Sequence, residues 1–245
     1  MRLKVISTGS IGNAYILSNG DEALLIEAGV NIKKIKEAFG FDYSKIVGCI
    51  VSHSHGDHAC SIREVMKLGI ETFASKDTLM ATNSFTNHNA IEIKEKKVHH
   101  LGKFKVMPFN VKHDVPCFGF LIEHPDFGKT LFLTDTYYCK YTFPGLNNII
   151  IEANYSKAIL DKKYGPDSDK EFLRNRILRS HFSLENCKDM LSANDLSKVN
   201  KIILIHLSDT NSNEEQFVSE VKELTGKSVF AAFNGMEIEF NKTPF

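Results

Sequence analysis

The apolar run KIVGCIVS, residues 45–52, passes without a break into HSHGDH, residues 53–58. A continuous apolar run of this kind reads as a strand buried on both faces, so other layers must cover it on either side. The polar cluster at its end then sits at the rim of a sheet. In an extended segment residues two apart point to the same side, so His53 and His55 reach one point in space. Gly56 tolerates the sharp turn that follows. Asp57 and His58 then open the next helix and face a second point close by. Imidazole and carboxylate are ligands for zinc, manganese or iron, and two adjacent cations suit the arrangement better than one. Taken alone, Asp57 would read as the N-cap of that helix. A closed structural zinc site would draw on cysteines. The five here (Cys49, Cys60, Cys117, Cys139 and Cys187) are scattered with no Cys-x-x-Cys pair. They read as reduced thiols of a cytoplasmic protein.

The remaining pattern interleaves strands and helices, with runs of consecutive strands. RLKVIS, AYILS and ALLIEAG read as strands, NIKKIKEAFG as a helix stopped by Gly40, and HACSIREVMKLG as one helix. IETFAS, FKVMPFNV, CFGFLIEH, KTLFLT, NNIIIEAN, KIILIHLS, SVFAAF and MEIEF are further strands. KDTLMATNS and NEEQFVSEVKELTG are further helices. This predicts an α/β fold: an αββα sandwich of two mixed β-sheets flanked by helices, more than a doubly wound parallel sheet. At 245 residues and 42% hydrophobic, one domain spanning 1–245 is the expectation. Around 155–181 a helical, basic insertion is expected, carrying Lys157, Lys162, Lys163, Lys170, Arg174, Arg176 and Arg179. No stretch reads as a signal peptide or as a membrane span, so no membrane partner is expected. Basic and acidic residues balance at 30 each, so net charge alone does not announce nucleic acid.

Two metals need more ligands than one motif supplies. His113 follows FKVMPFNV, Asp135 follows KTLFLT, and His206 ends KIILI. Each is polar at the C-terminal end of an apolar run, where a site on top of a sheet would lie. Asp135 can bridge two cations with its two oxygens.

HSHGDH, His113, Asp135 in FLTDT and His206 in IHLSDTN together resemble the metal motifs of the metallo-β-lactamase superfamily. STGSIGNAYIL near the start, IEANY at 151–155, SHFSLEN at 180–186 and IHLSDTNSN at 205–213 are similar to its YycJ/WalJ branch, on the nuclease and phosphodiesterase side. That branch typically has Gly-His-Leu-Ser-Asn-Glu where this chain has Ser180-His181-Phe182-Ser183-Leu184-Glu185. It often has Glu-Ser-Asn-His where this chain has Glu152-Ala153-Asn154-Tyr155. The resemblance implies a first divalent ion, Zn²⁺ or Mn²⁺, on His53, His55 and His113. A second would sit on Asp57, His58 and His206, with Asp135 as bridge. A hydroxide between two cations is a nucleophile at neutral pH, and the cations offset charge building on a phosphoryl oxygen. Asp57 would help orient that hydroxide or accept its proton.

His181 is the candidate to protonate the leaving group, with Ser183 capping the helix beside it. The plainer reading is a surface histidine beside a cap. Ser208 and Asn211 either orient His206 or make a turn. Gly9 and Gly12 form a loop lining the site, without dinucleotide-fingerprint spacing. Tyr137, Tyr138 and Tyr141 either stack on a base or pack a loop. His88, His99, His100 and His124 read as ordinary surface residues.

The function expected is a two-metal phosphodiesterase, a nuclease acting on DNA or RNA, and a homodimer. The alternative is hydrolysis of small cyclic nucleotides, as in some phage-encoded enzymes of the superfamily that oppose cyclic-nucleotide immunity. A thioester or lactone hydrolase, or an iron sulfur dioxygenase, fits the motifs less well.

Overall fold

The structure is a computed structural model that describes residues 1–164 and 171–243. Two seven-stranded sheets pack face to face, each with helices on its outer side. The first sheet is built from β1 (Arg2–Ser7), β2 (Ala14–Ser18), β3 (Ala23–Ile26), β4 (Ile46–Ile50), β5 (Thr72–Ala74) and β6 (Ala90–Glu92). The second runs through β7 (His99–Leu101), β8 (Phe104–Val111), β9 (Cys117–His124), β10 (Gly128–Leu133), β11 (Asn148–Glu152), β12 (Lys201–Ile205) and β13 (Ser228–Ala231). The last strand, β14 (Glu237–Glu239), returns to the first sheet beside β1.

Each sheet is mixed in the same way. β14, β1, β2 and β3 pair antiparallel, and β3, β4, β5 and β6 pair parallel. In the second sheet β7 to β10 pair antiparallel and β10 to β13 parallel. The expected αββα sandwich is therefore the fold observed.

Strand alternation explains the layers. Leu24, Ile26, Ile50, Phe132, Ile150, Ile203 and Ile205 face the space between the sheets. Their neighbours Leu25, Cys49 and Val51 face out under α1 (Ile32–Ala38) and α3 (Ile62–Lys67). On the other side Leu131, Ile149, Ile151 and Leu204 face out under α7 (Leu184–Ser192) and α8 (Glu214–Thr225). Strands covered on both faces read as unbroken apolar runs, as these do.

The helix expected over HACSIREVMKLG is two: α2 (Gly56–Ala59) and α3. Ser61 breaks it, because its N–H donates to Ala28 O at 2.9 Å and its Oγ to Val30 O at 2.6 Å. Those tertiary bonds replace continuation of the helix. The α4 helix (Lys76–Ala81) follows β5. The segment expected as an insertion, 155–181, holds α5 (Lys157–Lys163) and α6 (Glu171–Ser180), while Lys170 lies outside the described residues. No helix among the described residues is long and apolar enough to cross a membrane.

Candidate metal centre

The parallel strands of both sheets end at the same rim. Glu27 follows β3, His53 lies just beyond β4, Asp135 beyond β10, Glu152 closes β11 and His206 follows β12. Three of these end residues, Glu27 (φ 65), Asp135 (φ 44) and His206 (φ 56), sit in the left-handed region. Residues with a Cβ adopt it at a cost in strain, which the surrounding packing must hold.

His53, His55 and His113 come together as one cluster, and Asp57, His58, Asp135 and His206 as another. In the first, His113 Nε2 lies 3.2 Å from His55 Nδ1, and the rings of His53 and His113 are 4.7 Å apart. In the second, Asp135 Oδ2 is 2.7 Å from His58 Nε2 and 3.4 Å from His53 Nε2, so one carboxylate touches both clusters. Asp57 Oδ2 is 3.5 Å from His58 Nε2 and 3.6 Å from His206 Nε2. Asp57 sits in the first turn of α2, and His55 takes the N-cap position.

The charges of this cluster depend on one another. Burial disfavours charged His58 and His206, but the surrounding carboxylates, Asp135 first among them, together outweigh it, and both stand well above the ordinary imidazole range. Burial alone would raise Asp57, yet His206 and His58 beside it hold it far below the carboxylate range. Asp135 is likewise depressed: His206 and His58 overcome its burial. Burial pushes His53 and His113 down, so these two are neutral and have lone pairs to offer.

The residues fit divalent ions. His53 Nε2 and His206 Nε2 are buried with no hydrogen-bond partner, each aimed at a carboxylate outside hydrogen-bond geometry. A buried polar atom left unpaired is costly unless something engages it, and these belong to a histidine and carboxylate set suited to zinc or manganese.

A second ring of residues fixes the donors. His53 Nδ1 is 2.9 Å from Ser52 Oγ, and the Cys117 thiol lies 3.7 Å from the same nitrogen. Glu27 accepts from Ser52 N and lies 3.6 Å from His58 Nδ1. Asn13 Nδ2 stands 3.1 Å from His58 Nε2 and donates to Asp57 O at 3.2 Å. The Gly9–Asn13 loop is thereby tied to the centre, and Ser10 reaches the cavity. Glu152 is fully buried: its Oε1 faces His181 Nδ1 at 2.8 Å and His206 Nδ1 at 3.1 Å. Its Oε2 accepts from Phe182 N at 3.1 Å. Burial pulls the His181 pKa down, but Glu152 and Asp135 raise it to about 9.

His181 is therefore tied into the centre through Glu152 and lines its cavity. Ser183 caps α7 as expected, accepting from Asn186 N at 3.1 Å. The orienting role considered for Ser208 and Asn211 belongs to Asn154, whose Nδ2 donates to His206 O at 2.8 Å. Ser208 makes the turn, with Ser212 N on its carbonyl. Glu27 and Glu152 went unread as site residues. The signal was the one that found Asp135, an acid at the end of an apolar strand. Tyr141 packs a loop, its hydroxyl donating to Glu95. His99 and His100 lie in β7. His124 is no surface residue: it is 3% exposed, 3.2 Å from Glu22 Oε1 and stacked on Phe127. It keeps the inward parity of Ile122 at the end of β9.

Two sheets, flanking helices and a histidine–aspartate centre at the rim are the features of the metallo-β-lactamase fold, and this chain has that fold. Residues 7–72 match the family model described as Metallo-beta-lactamase superfamily. Among individual proteins, the chain is similar to exodeoxyribonuclease WalJ of Streptococcus pneumoniae, 26% identical over 230 residues, covering 87% of this chain and 84% of the relative. Exodeoxyribonuclease YycJ of Bacillus anthracis is 26% identical over 252 residues, covering 95% of this chain and 93% of that one. In fold, the metallo-β-lactamase fold protein YhfI of Bacillus subtilis superposes with a TM-score of 0.72 at 17% identity, over 97% of this chain and 99% of that one. Human tRNase Z, short form, superposes with a TM-score of 0.63 at 17% identity, over 98% and 99%.

Proposed function

We propose that the chain is a metal-dependent phosphodiesterase acting on nucleic acid, a nuclease with DNA as its first candidate substrate. The names of its relatives support DNA. One observation supports the chemistry above others: two ligand sets meet at Asp135, with the His181–Glu152 pair beside them. In this reading His53, His55 and His113 would hold one ion and Asp57, His58 and His206 the other, with Asp135 between the two sets. When bound, the ions, Zn²⁺ or Mn²⁺, supply an activated water at neutral pH and positive charge for phosphoryl oxygens.

The chain's own residues do the rest. Asp57, held ionised on the cavity side, orients the attacking water and takes its proton. Glu152 holds His181 Nδ1, which leaves Nε2 as the ring nitrogen for a leaving group. With its pKa raised to about 9, His181 carries its proton at neutral pH and can give it to the departing alkoxide. The five cysteines are free thiols, which supports a cytoplasmic location. For assembly the reading is a homodimer, which light scattering tests.

Cavity size supports a second reading. About 380 Å³ suits one nucleotide at a time, and so also a cyclic mononucleotide. The test is a hydrolysis panel on manganese- or zinc-loaded protein. It sets single- and double-stranded DNA and RNA beside 3′,5′-cyclic mononucleotides, with Asp57→Ala as control. Loss of the polymers alone is the result expected, and loss of cyclic nucleotides alone selects the second reading. Asp57→Ala should abolish turnover with the circular dichroism spectrum unchanged. Full activity in that variant would sink the mechanism.

A further inference from the structure

The basic residues between Lys157 and Arg179 have unequal positions. Arg174 is committed to Asp161, with Nη2 at 2.6 Å and Nε at 3.1 Å from Oδ1. Lys163 donates to Asn211 Oδ1 at 3.2 Å. Among the described basic residues of this stretch, Arg176 alone lines the cavity over the metal centre.

Its helix explains why. Leu173, Arg176, Ile177 and Ser180 all line that cavity, and their spacing of three, four and seven marks one face of α6. Leu178, off that face, packs with Ile177 against Tyr155, Leu160 and Tyr164. That packing holds α6 over the cavity with Arg176 on the inner side.

The acids and histidines lining the cavity already have side-chain partners beside them. Asp57 and Asp135 face His58 and His206. Asp114 lies 3.1 Å from His113 and 3.4 Å from His55, and His181 faces Glu152. The Arg176 guanidinium has no carboxylate within ion-pair distance among the described residues, and it is exposed. A planar fork of donors with no counter-charge, on the wall of a cavity that processes phosphodiesters, suits a phosphate.

We infer that Arg176 binds a second phosphate of the nucleic-acid strand, next to the one being cut, and so selects strands over isolated phosphodiesters. The inference rests on the nuclease reading above. Arg176 stands on α6, which contributes no residue to either ligand cluster, and the inference assigns it a phosphate other than the one at the ions.

The experiment compares wild type, Arg176→Ala and Arg176→Lys, with Arg179→Ala as the control outside the cavity. Substrates are bis(4-nitrophenyl) phosphate and thymidine di-, tri- and decanucleotides. For Arg176→Ala the expected result is a KM raised about tenfold or more on the tri- and decanucleotide. kcat should hold, and the two single-phosphodiester substrates should be unaffected. Arg176→Lys should recover part of the loss, since it keeps the charge without the fork. Equal losses on all substrates, or none on any, would overturn the proposal.

A binding arm uses metal-free protein and a labelled decanucleotide, read by fluorescence anisotropy. Arg176→Ala should weaken binding and reduce the salt slope by about 0.7, the share of one phosphate contact. This arm stands even if no strand is cleaved. Weakened binding without cleavage upholds Arg176 and removes the nuclease reading, whereas binding indifferent to Arg176 removes the inference.

Discussion

Glu152 is one carboxylate serving two histidines, one in the ligand cluster and one on the cavity wall. It couples the two by geometry, so the role of His181 can be tested separately from metal loading. His181→Ala should lower kcat by about a hundredfold or more while KM moves little, the signature of a general acid. Metal content, measured by plasma mass spectrometry, should stay at the wild-type value. An unchanged kcat would leave His181 as a bystander on the cavity wall. At this scale the sequence was legible wherever spacing carried the information. His53, His55, Asp57 and His58 were readable from one hexapeptide. His113, Asp135 and His206 followed from their places after apolar runs, and all seven come together in the structure. Glu27 and Glu152 obeyed the same rule and were missed as site residues, because the ligand sets were already complete without them.

At the scale of elements, the centre depends on a close approach that only glycine permits. A Cβ at Gly29 would fall 1.7 Å from Asp57 O, so the start of α2 lies directly on the turn after β3. The Asn13 and Gly29 backbones are joined there, Gly29 N to Asn13 O at 2.9 Å and Asn13 N to Asp57 O at 2.7 Å. Gly29→Ala should push α2 away, lowering stability by about 2 kcal/mol or more and weakening metal affinity with it. Thermal melts with and without EDTA check this: the variant should lose most of the melting-point gain that metal gives the wild type. The strands were legible because those buried on both faces read as long apolar runs. The break between α2 and α3 was not, because Ser61 is drawn away by Ala28 and Val30, partners some thirty residues earlier in the chain. Local periodicity holds no record of such bonds.

Taken whole, the molecule sets two halves of matching topology rim to rim, and their charges balance through protons until metal arrives. Loading must displace the protons on His58 and His206, so metal affinity rises with pH. Calorimetry of manganese binding in buffers of different ionisation enthalpy should read net proton release. The metal-free protein should behave oppositely. Raised His58, His206 and His181 contribute stability in full below the usual imidazole value of about 6.5. That contribution fades as pH rises, for His181 through about 9. The depressed Asp57 and Asp135 contribute above about 3.9 and lose it only in stronger acid. The depressed His53 and His113 cost stability as pH falls below about 6.5, so melting in EDTA should peak near about pH 6.5, and a melting point climbing from about pH 7 to 9 would contradict the assignment. The mixed character of both sheets was legible from the order of strands and helices, but the convergence of five strand ends on one rim was not, because it is set by topology. The left-handed backbone at Glu27, Asp135 and His206 carries a longer consequence. At each position glycine would relax the chain and erase the chemistry. A selection that rewarded heat resistance alone would dismantle the centre from its backbone outward, and only selection for activity keeps these three side chains where they are.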